Sequence, residues 1–308
     1  MTSIIIPAGS PCEVQSFSIE GTNIRGRLVR LEKTYEEILK NHNYPNQVAG
    51  LLGELTVMTI SLADSLKYEG QFILQTQSDG PINMMVSNVT SSGEVRSYAK
   101  YKIKDVSNTN KQKSIPYLLG KGHIAFTVDQ GINTERYQGI AALEGSSLAE
   151  CAQNYFRKSE QIETAILLAA SPNQQKAAGI MIQKMPISTQ ISNSAGSLLH
   201  EKGDDDWRNS VILMGSLTTD EILDTNVTTH EILYRLYHEA GVRIHNAKSL
   251  KFQCQCSNEK IGATLAAFPK KEIDSMKTIE GLITADCEFC GTQFTFDDEL
   301  LRNLRKKN

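Results

Sequence analysis

The sequence predicts an α+β protein with three parts: a large N-terminal α+β domain with antiparallel sheets, a helical linker and a small C-terminal domain rich in cysteine. In the first half, strand-like segments separated by turn signals follow one long helical stretch. A polar, Ser/Gly-rich stretch then precedes short capped helices, and four of the six cysteines lie within residues 254–290. We therefore place the N-terminal core domain at residues 1–186, the linker at 187–248 and the C-terminal domain at 249–308.

Composition excludes several classes of protein. Hydrophobic residues are 40% and charged residues 22%, which is ordinary for a soluble globular protein. The formal net charge of −3 and the pI of about 6.1 give no overall basic field for nucleic acid or a membrane surface. The start lacks the pattern of a signal peptide, and no apolar run approaches the roughly 18 residues of a membrane span. We expect a cytoplasmic protein with neither nucleic acid nor a membrane as partner.

The N-terminal domain is predicted to begin with a strand at 23–31 and a short helix at 34–42, capped by Thr34 with Glu37 three residues later. The longest helical stretch begins near Pro45 and stops by Gly70. Further strands are predicted at 71–77, 82–89, 95–101, 123–129, 136–143, 164–170 and 178–185.

Two cysteines outside the cluster are interpreted as structural or incidental. Cys151 lies on the apolar face of a helical pattern, so we expect it to be a buried core residue. Cys12 lies in a Pro/Gly/Ser-rich leader, where we expect no role for it.

The linker combines capped helices with an apolar surface that needs a partner. Thr218 with Glu221 and Thr228 with Glu231 are Thr-x-x-Glu capping patterns, and the second helix is expected to close on Gly241. The segment 205–226 can fold only if its apolar surface docks on another element. That surface consists of Trp207, Val211, Ile212 and Met214.

The two linker histidines are not a metal site. His230 and His238 are eight residues apart, which on a helix gives about 80° of rotation and about 12 Å of rise. That separation is too large for one metal ion to be shared. We interpret both as surface or capping residues.

Several catalytic signatures are absent. The sequence has no Gly-x-Gly-x-x-Gly, Walker A or Gly-x-Ser-x-Gly motif, which disfavours an ATP-dependent mechanism and a hydrolase. "CEFC" at 287–290 lacks the βαβ context of a thioredoxin-like motif. We predict that the protein is not an enzyme.

The four clustered cysteines predict one tetrathiolate metal site. Cys254-x-Cys256 and Cys287-x-x-Cys290 form two pairs, and no histidine follows residue 246. Four thiolates match tetrahedral Zn²⁺ with no open position, and an iron–sulfur cluster is the alternative. The C-terminal domain has few large apolar groups, so the metal is expected to supply its stability. Nearby lysines are expected to offset the charge of −2 on the site: Lys248, Lys251, Lys260, Lys270 and Lys271.

The same geometry links metal binding to oxidation. Tetrahedral sulfurs around Zn²⁺ lie roughly 3.8 Å apart, and a disulfide needs about 2.05 Å. An oxidised thiolate therefore finds a partner thiol beside it, and bond formation ejects the metal. As a hypothesis, the Cys287–Cys290 pair closes first, because a C-x-x-C ring is less strained than a C-x-C ring.

These motifs resemble the redox-regulated heat shock protein 33 chaperones, also called 33 kDa chaperonins. C-x-C, an insert of about 30 residues and then C-x-x-C is that family's zinc signature. "NHNYPNQVAGLLGEL", "QSDGPINMMV", "ERYQGIAALEGSSLAECAQNYF", "AAGIMIQKMP" and "EILYRLYHEAGVRI" are also similar to its core and linker stretches. The resemblance covers roughly residues 20–300.

The resemblance implies an ATP-independent holdase that is zinc-bound and inactive when reduced. Oxidants would release zinc and form two vicinal disulfides, Cys254–Cys256 and Cys287–Cys290. The linker would then lose structure and expose apolar surface to unfolding client proteins, and the activated form would be a homodimer.

Two other functions stay open from the residues alone. One is a zinc-ribbon module that binds nucleic acid, since the tail "LLRNLRKKN" is basic. The other is a thiol oxidoreductase that uses Cys287 and Cys290.

Overall fold

Two six-stranded sheets and the helices packed on them make up most of the chain in the computed structural model. The structure describes residues 12–103, 106, 115–131, 136–186 and 195–301. It divides into two compact units, Met1–Phe252 and Gln253–Asn308. The predicted α+β class with antiparallel sheets is confirmed. The division at residues 186 and 248 stays a prediction, and the described part of the linker belongs to the first unit.

Sheet 1 has the strand order β10-β1-β2-β9-β8, with β11 also pairing β1, and sheet 2 has the order β12-β5-β4-β3-β6-β7. All pairings are antiparallel except β12 with β5. The strands of the first unit are β1 Glu13–Ile19, β2 Ile24–Leu31, β3 Gln71–Ser78, β4 Ile82–Thr90, β5 Glu94–Tyr101, β6 Gly122–Asp129, β7 Tyr137–Ala142, β8 Glu163–Ser171, β9 Lys176–Lys184, β10 Val242–Ile244, β11 Lys248–Ser249 and β12 Lys251–Phe252.

Helices lie between these strands along the chain. Those with bounds in the described residues are α1 Lys33–Leu39, α2 Asn46–Ser65, α3 Ile115–Leu118, α4 Leu148–Tyr155, α5 Ala195–Gly215, α6 Thr219–Leu223 and α7 Thr229–Tyr237. A π-helical turn, Phe156–Glu160, extends α4, and a short 3₁₀ turn, Pro172–Gln174, joins β8 to β9.

Helix α2 packs against both sheets and forms the centre of the larger apolar cluster. Of the described residues, only α2 has the length and apolar composition to cross a membrane. However, 78% of its apolar window is buried inside the fold, as in the core helix of many proteins. The same cluster holds Cys151, which confirms the prediction that it is a buried helix residue. Burial raises the pKa of its thiol to about 11.

The linker docks on the other face of sheet 1 and forms a second apolar cluster. Leu233 and Tyr237 of α7 are fully buried, and Tyr237 stacks on Phe17 of β1 with ring centroids 5.6 Å apart. Arg30 of β2 donates to the backbone oxygens of Asp224 and Val227. The linker therefore buries its apolar side chains against sheet 1, and its loop carbonyls accept hydrogen bonds from Arg30 of that sheet.

The predicted docking surface of the linker is mostly confirmed, with one error. Met214 is buried, and Trp207 and Val211 pack against the second cluster while partly buried. Ile212 is 64% exposed, so its assignment to the docked surface was wrong. It lies one residue after Val211 and two before Met214 on α5, and a helix turns about 100° per residue. The face of α5 that packs on sheet 1 therefore includes Val211 and Met214 but leaves Ile212 outside.

The predicted caps are confirmed in the linker and wrong in α1. Thr218 accepts from the backbone N–H of Glu221, and Thr228 with Glu231 forms a complete capping box. Helix α1 begins at Lys33 after Glu32, and the Thr34 hydroxyl instead donates to the carbonyl of Leu250. A contact 216 residues away in sequence has replaced the local cap.

The N-terminal leader carries a strand that the sequence did not predict. Strand β1 begins at Glu13 and lies inside sheet 1 between β2 and β10. Cys12 precedes it, is 8% exposed, and its sulfur lies 3.4 Å from the backbone nitrogen of Thr34. The Cys12 side chain is therefore packed in the fold, and its interpretation as incidental to the chemistry stays a prediction.

The segment 248–252 ties the two sheets together at the end of the first unit. Strand β11 pairs with β1 of sheet 1, and β12 pairs with β5 of sheet 2. Between them Leu250 is buried in the larger cluster, and its backbone nitrogen donates to the carbonyl of Cys12. The chain is thus anchored in both sheets immediately before the first cysteine pair.

Candidate metal centre

The second unit is small and has little apolar core. It contains helices α8 Asn258–Ala266 and α9 Lys270–Ser275 and the hairpin of β13 Ile283–Asp286 with β14 Gln293–Phe296. Its buried apolar cluster in the described residues has five members: Leu265, Ile273, Ile283, Phe296 and Leu301. A unit of this size rarely folds on so few apolar groups unless a metal or disulfides supplement them.

The two cysteine pairs lie on two backbone turns. Cys254 and Cys256 lie in the segment before α8, whose first turn is capped by Ser257. Cys287 and Cys290 lie in the turn of the β13–β14 hairpin. There the Cys287 nitrogen donates to the carbonyl of Thr292 and the Gly291 nitrogen donates to the carbonyl of Cys287. Both turns therefore present their thiols from fixed backbone positions.

The structure brings all four predicted ligands together. The sulfur of Cys254 lies 3.3 Å from that of Cys256 and 3.6 Å from that of Cys287. The Cys256 and Cys290 sulfurs are 3.5 Å apart. All four sulfurs lie within 4.8 Å of one another. Sulfurs bound tetrahedrally at about 2.3 Å from Zn²⁺ lie roughly 3.8 Å apart. The donor set and spacing thus fit one tetrahedral metal ion.

The thiols perturb one another's ionisation. Burial and the neighbouring thiols raise the pKa of Cys256, and burial is also the main reason that the pKa of Cys287 is raised. For Cys290 burial acts in the same direction, but hydrogen bonds from Thr292 and the adjacent thiols outweigh it and lower its pKa to about 7. One thiolate is therefore favoured near neutral pH, which suits a site that binds a cation.

Two residues of the site were missed in the sequence. The Thr292 hydroxyl oxygen lies 3.2 Å from the Cys290 sulfur. Gly291 has φ +66°, a conformation that favours glycine and lets the turn close under the thiols. The available signal was the "GT" directly after Cys290, since glycine marks turns.

The predicted lysines are divided between the two units. Lys260 lies in the second unit and donates to the carbonyl of Gln255, between the first two cysteines. Lys248 and Lys251 belong to the first unit, where they pair with Asp64 and Glu94 at 3.5 Å and 3.3 Å. Their contribution to offsetting the charge of the site stays a prediction. Lys270 and Lys271 are exposed at the start of α9.

The remaining sequence candidates lie outside the centre. His238 is exposed, and its Nδ1 lies 2.9 Å from the carbonyl oxygen of Tyr234 at the end of α7. His230 is partly buried, with its Nε2 3.3 Å from the Oε1 of Gln15. Each histidine has its own polar contact, as expected for residues outside a metal site.

Comparison with known proteins assigns the chain to a family. The model of the Hsp33 protein family matches residues 13–297. The chain belongs to the Hsp33 family. Relatives named 33 kDa chaperonin are 35% identical in Caulobacter vibrioides, over 92% of this chain and 94% of theirs, and 34% identical in Shewanella loihica, over 94% and 96%.

A solved member shares the fold. The crystal structure of the 33 kDa chaperonin (heat shock protein 33 homolog) from Thermotoga maritima matches with a TM-score of 0.77 and 22% sequence identity. The match covers 96% of this chain and 98% of that one. The Hsp33 family is a chaperone family, so membership implies binding of client proteins, and the cysteine cluster of this member is compatible with a metal ion.

Proposed function

We propose that this chain is a redox-regulated, ATP-independent holdase of the cytoplasm. In the reduced state Cys254, Cys256, Cys287 and Cys290 hold one Zn²⁺ and the chaperone is inactive. Oxidation releases the metal and activates binding of unfolding clients. The observation that supports this most directly is the set of four thiols within 4.8 Å in a unit whose described core has five buried apolar side chains.

The chemistry needs only the thiols and an oxidant. Closing one disulfide joins two sulfurs and releases two electrons, together with the protons that the thiols carry. Hydrogen peroxide accepts two electrons and two protons and becomes two waters, so two disulfides consume two peroxides. Each closed pair removes two metal ligands, because a disulfide sulfur is no longer a thiolate.

The proposed pairing is Cys254–Cys256 and Cys287–Cys290, as the family resemblance implies. The spacing of the sulfurs permits vicinal and crossed pairs alike, since Cys254 to Cys287 is 3.6 Å and Cys254 to Cys256 is 3.3 Å. The resemblance, rather than the distances, therefore carries the pairing. The order in which the two bonds close stays a hypothesis, with Cys287–Cys290 first.

Oxidation of the thiols is proposed to affect the linker through unfolding of the second unit. Losing the metal unfolds a unit that depends on it. Oxidised chain would then release the linker from sheet 1, exposing apolar surface on both, for example Tyr237 and its partner Phe17. The proposed partners are unfolding clients and, after oxidation, a second copy of the chain. Neither nucleic acid nor a membrane is among them.

The test compares reduced protein with protein treated with peroxide. We expect one zinc per chain in the reduced form, its release on oxidation, and suppression of aggregation of a heat-denatured client only after oxidation, with and without ATP. Cys151→Ala is the matched control, because Cys151 lies outside the cluster. An oxidised form that keeps its zinc and protects no better than the reduced form would contradict the proposal.

A further inference from the structure

A groove on sheet 1 is lined by basic side chains from both the core and the linker. A cavity of about 360 Å³ is bordered by Ser16, Ser18, Arg25, Arg27 and His245. A neighbouring cavity of about 560 Å³ shares Ser18 and Arg25 and adds Arg243. The two therefore form one continuous basic groove, here called the arginine groove.

Strand register explains why these residues converge. Strand β1 lies between β2 and β10, so Ser18 is paired with Arg25 on one side and with Arg243 on the other. Two residues along, Ser16 is paired with Arg27, and its carbonyl accepts from the backbone nitrogen of His245. Residues two apart on a strand share a face. Two rows, each with a serine between basic side chains, thus lie on one face of the sheet.

The charges in the groove are only partly compensated. Asp64 lies 3.4 Å from Arg27 and 3.5 Å from Lys248, and Glu20 lies 3.4 Å from Arg243. Among the described residues, the exposed side chain of Arg25 has no hydrogen-bond or ion-pair partner. The charged residues that line the two cavities are Arg25, Arg27, Arg243 and Glu20, and Asp64 pairs with Arg27, so three cations face two carboxylates. The groove carries a net positive charge before His245 is counted.

Arg25 and Arg27 repel each other in the groove, although Asp64 compensates the charge of Arg27. Burial is the main reason that the pKa of Arg27 is lowered, and the charge of Arg25 lowers it further, against the opposite effect of Asp64. Like charges in one groove repel, and an anion held between them removes that repulsion. The Ser18 hydroxyl lies 3.2 Å from the His245 Nε2, so polar groups of the core strand and of the linker meet in the groove.

We propose that the arginine groove binds a phosphate-type oxyanion, held between Arg25 of the core and Arg243 of the linker. Guanidinium groups bind phosphate oxygens in pairs through a planar set of N–H donors. The Ser18 hydroxyl, on the strand between them, supplies a further polar group, whereas the Ser16 hydroxyl already donates to Asp64 at 2.7 Å. Cavity volumes of about 360 and 560 Å³ leave room for a small oxyanion such as inorganic phosphate.

The site is complete only while the linker is docked. Arg243 and His245 reach the groove because β10 pairs with β1. An anion that binds the docked form alone stabilises that form by linkage. This consequence rests on the proposed function: phosphate would hold the linker on sheet 1 and raise the oxidant dose needed for activation. The binding itself is independent of that function.

Binding is tested on the reduced, zinc-loaded full chain. We expect phosphate and pyrophosphate, titrated at constant ionic strength against chloride, to bind with measurable heat and to slow hydrogen exchange in residues 242–245. Arg25→Gln and Arg243→Gln should each weaken binding about tenfold or more, since hydrogen bonds to charged groups are worth more than one decade in affinity. Arg208→Gln, an exposed arginine paired with Asp205 on α5, is the matched control and should bind normally.

Equal affinity of Arg25→Gln and Arg208→Gln, or no binding beyond that of chloride, would overturn the site. Binding of a glutamate-rich peptide without binding of phosphate would make the groove a protein-docking surface instead and would also overturn it. A separate arm measures the peroxide dose for zinc release with and without phosphate. If phosphate binds but the dose is unchanged, the anion site stands and its link to activation fails.

Discussion

The two units of this chain are stabilised in different ways. The first buries α2 against two sheets and buries the linker against the other face of sheet 1. The second, in its described residues, buries five apolar side chains beside four thiols that share a volume fit for one metal ion. The first unit thus relies on extensive apolar burial, whereas under the proposed function the second would rely on its metal and on the redox state of its thiols.

Metal removal should produce the largest difference in stability between the two units. A structural Zn²⁺ site contributes roughly 10–16 kcal/mol of apparent binding free energy at neutral pH, which exceeds the stability of a small domain. A strong chelator added to reduced protein should therefore unfold residues 253–301 and leave α2 and the core of sheet 1 protected from hydrogen exchange. Equal loss of protection in both units would break the comparison.

The small core of the second unit gives the next largest effect. Phe296 is fully buried, and replacing a buried Phe by Ala costs about 3–5 kcal/mol. Because folding and metal binding are coupled there, Phe296→Ala should appear as weakened zinc affinity in a competition titration. The melting of the first unit should not change. The control is Phe268→Ala, since Phe268 is 38% exposed.

Helix α7 tests whether apolar burial alone holds the linker. Leu233 is fully buried against sheet 1, and Tyr234 beside it is 60% exposed. Leu233→Ala should cost about 2–5 kcal/mol and expose the linker to limited proteolysis while zinc stays bound. Tyr234→Ala should leave the cleavage pattern unchanged. If both variants were cleaved alike, linker docking would depend on more than this apolar contact.

A smaller change is expected at the start of α7. Thr228 and Glu231 form a capping box, and loss of such a cap costs about 1 kcal/mol. Thr228→Ala should increase hydrogen exchange in 229–232 several-fold without changing zinc content, and Thr228→Ser should restore protection.

The smallest effect is expected at the thiol of Cys151. Burial raises its pKa to about 11, so at neutral pH it is a protonated, buried thiol, and only a thiolate reacts quickly with iodoacetamide. In folded protein its labelling should stay negligible at pH 7.5 and rise only as the pH approaches its pKa or the first unit unfolds. Rapid labelling at pH 7.5 would show that the first unit opens locally around Cys151.

Local sequence signals predicted much of this architecture. Alternating patterns located β2 through β9, and Thr-x-x-Glu located the starts of α6 and α7. The four cysteines were found because C-x-C and C-x-x-C have few interpretations other than a shared metal. For these elements the residues that determine the structure lie close together in sequence.

The errors have both distant and local causes. The cap of α1 was wrong because Thr34 bonds Leu250, 216 residues away, instead of its own helix, and no local pattern carries that information. Strand β1 has distant partners in Lys248 and Ser249, but it also pairs with the adjacent β2, so part of its signal was local and was missed. The error at Ile212 was local as well, because it concerned which face of α5 is buried.

The segment 248–252 has a consequence for synthesis of the chain. Its pairings with β1 and β5 join the start of the sequence to a point near residue 250, and contacts of such large sequence separation slow folding. On the ribosome, where chains emerge from the N-terminus, both sheet edges stay unpaired at these positions until residue 252 has emerged. The cysteine at 254 follows at once. The first unit is therefore completed only as the first of the four clustered cysteines begins to appear.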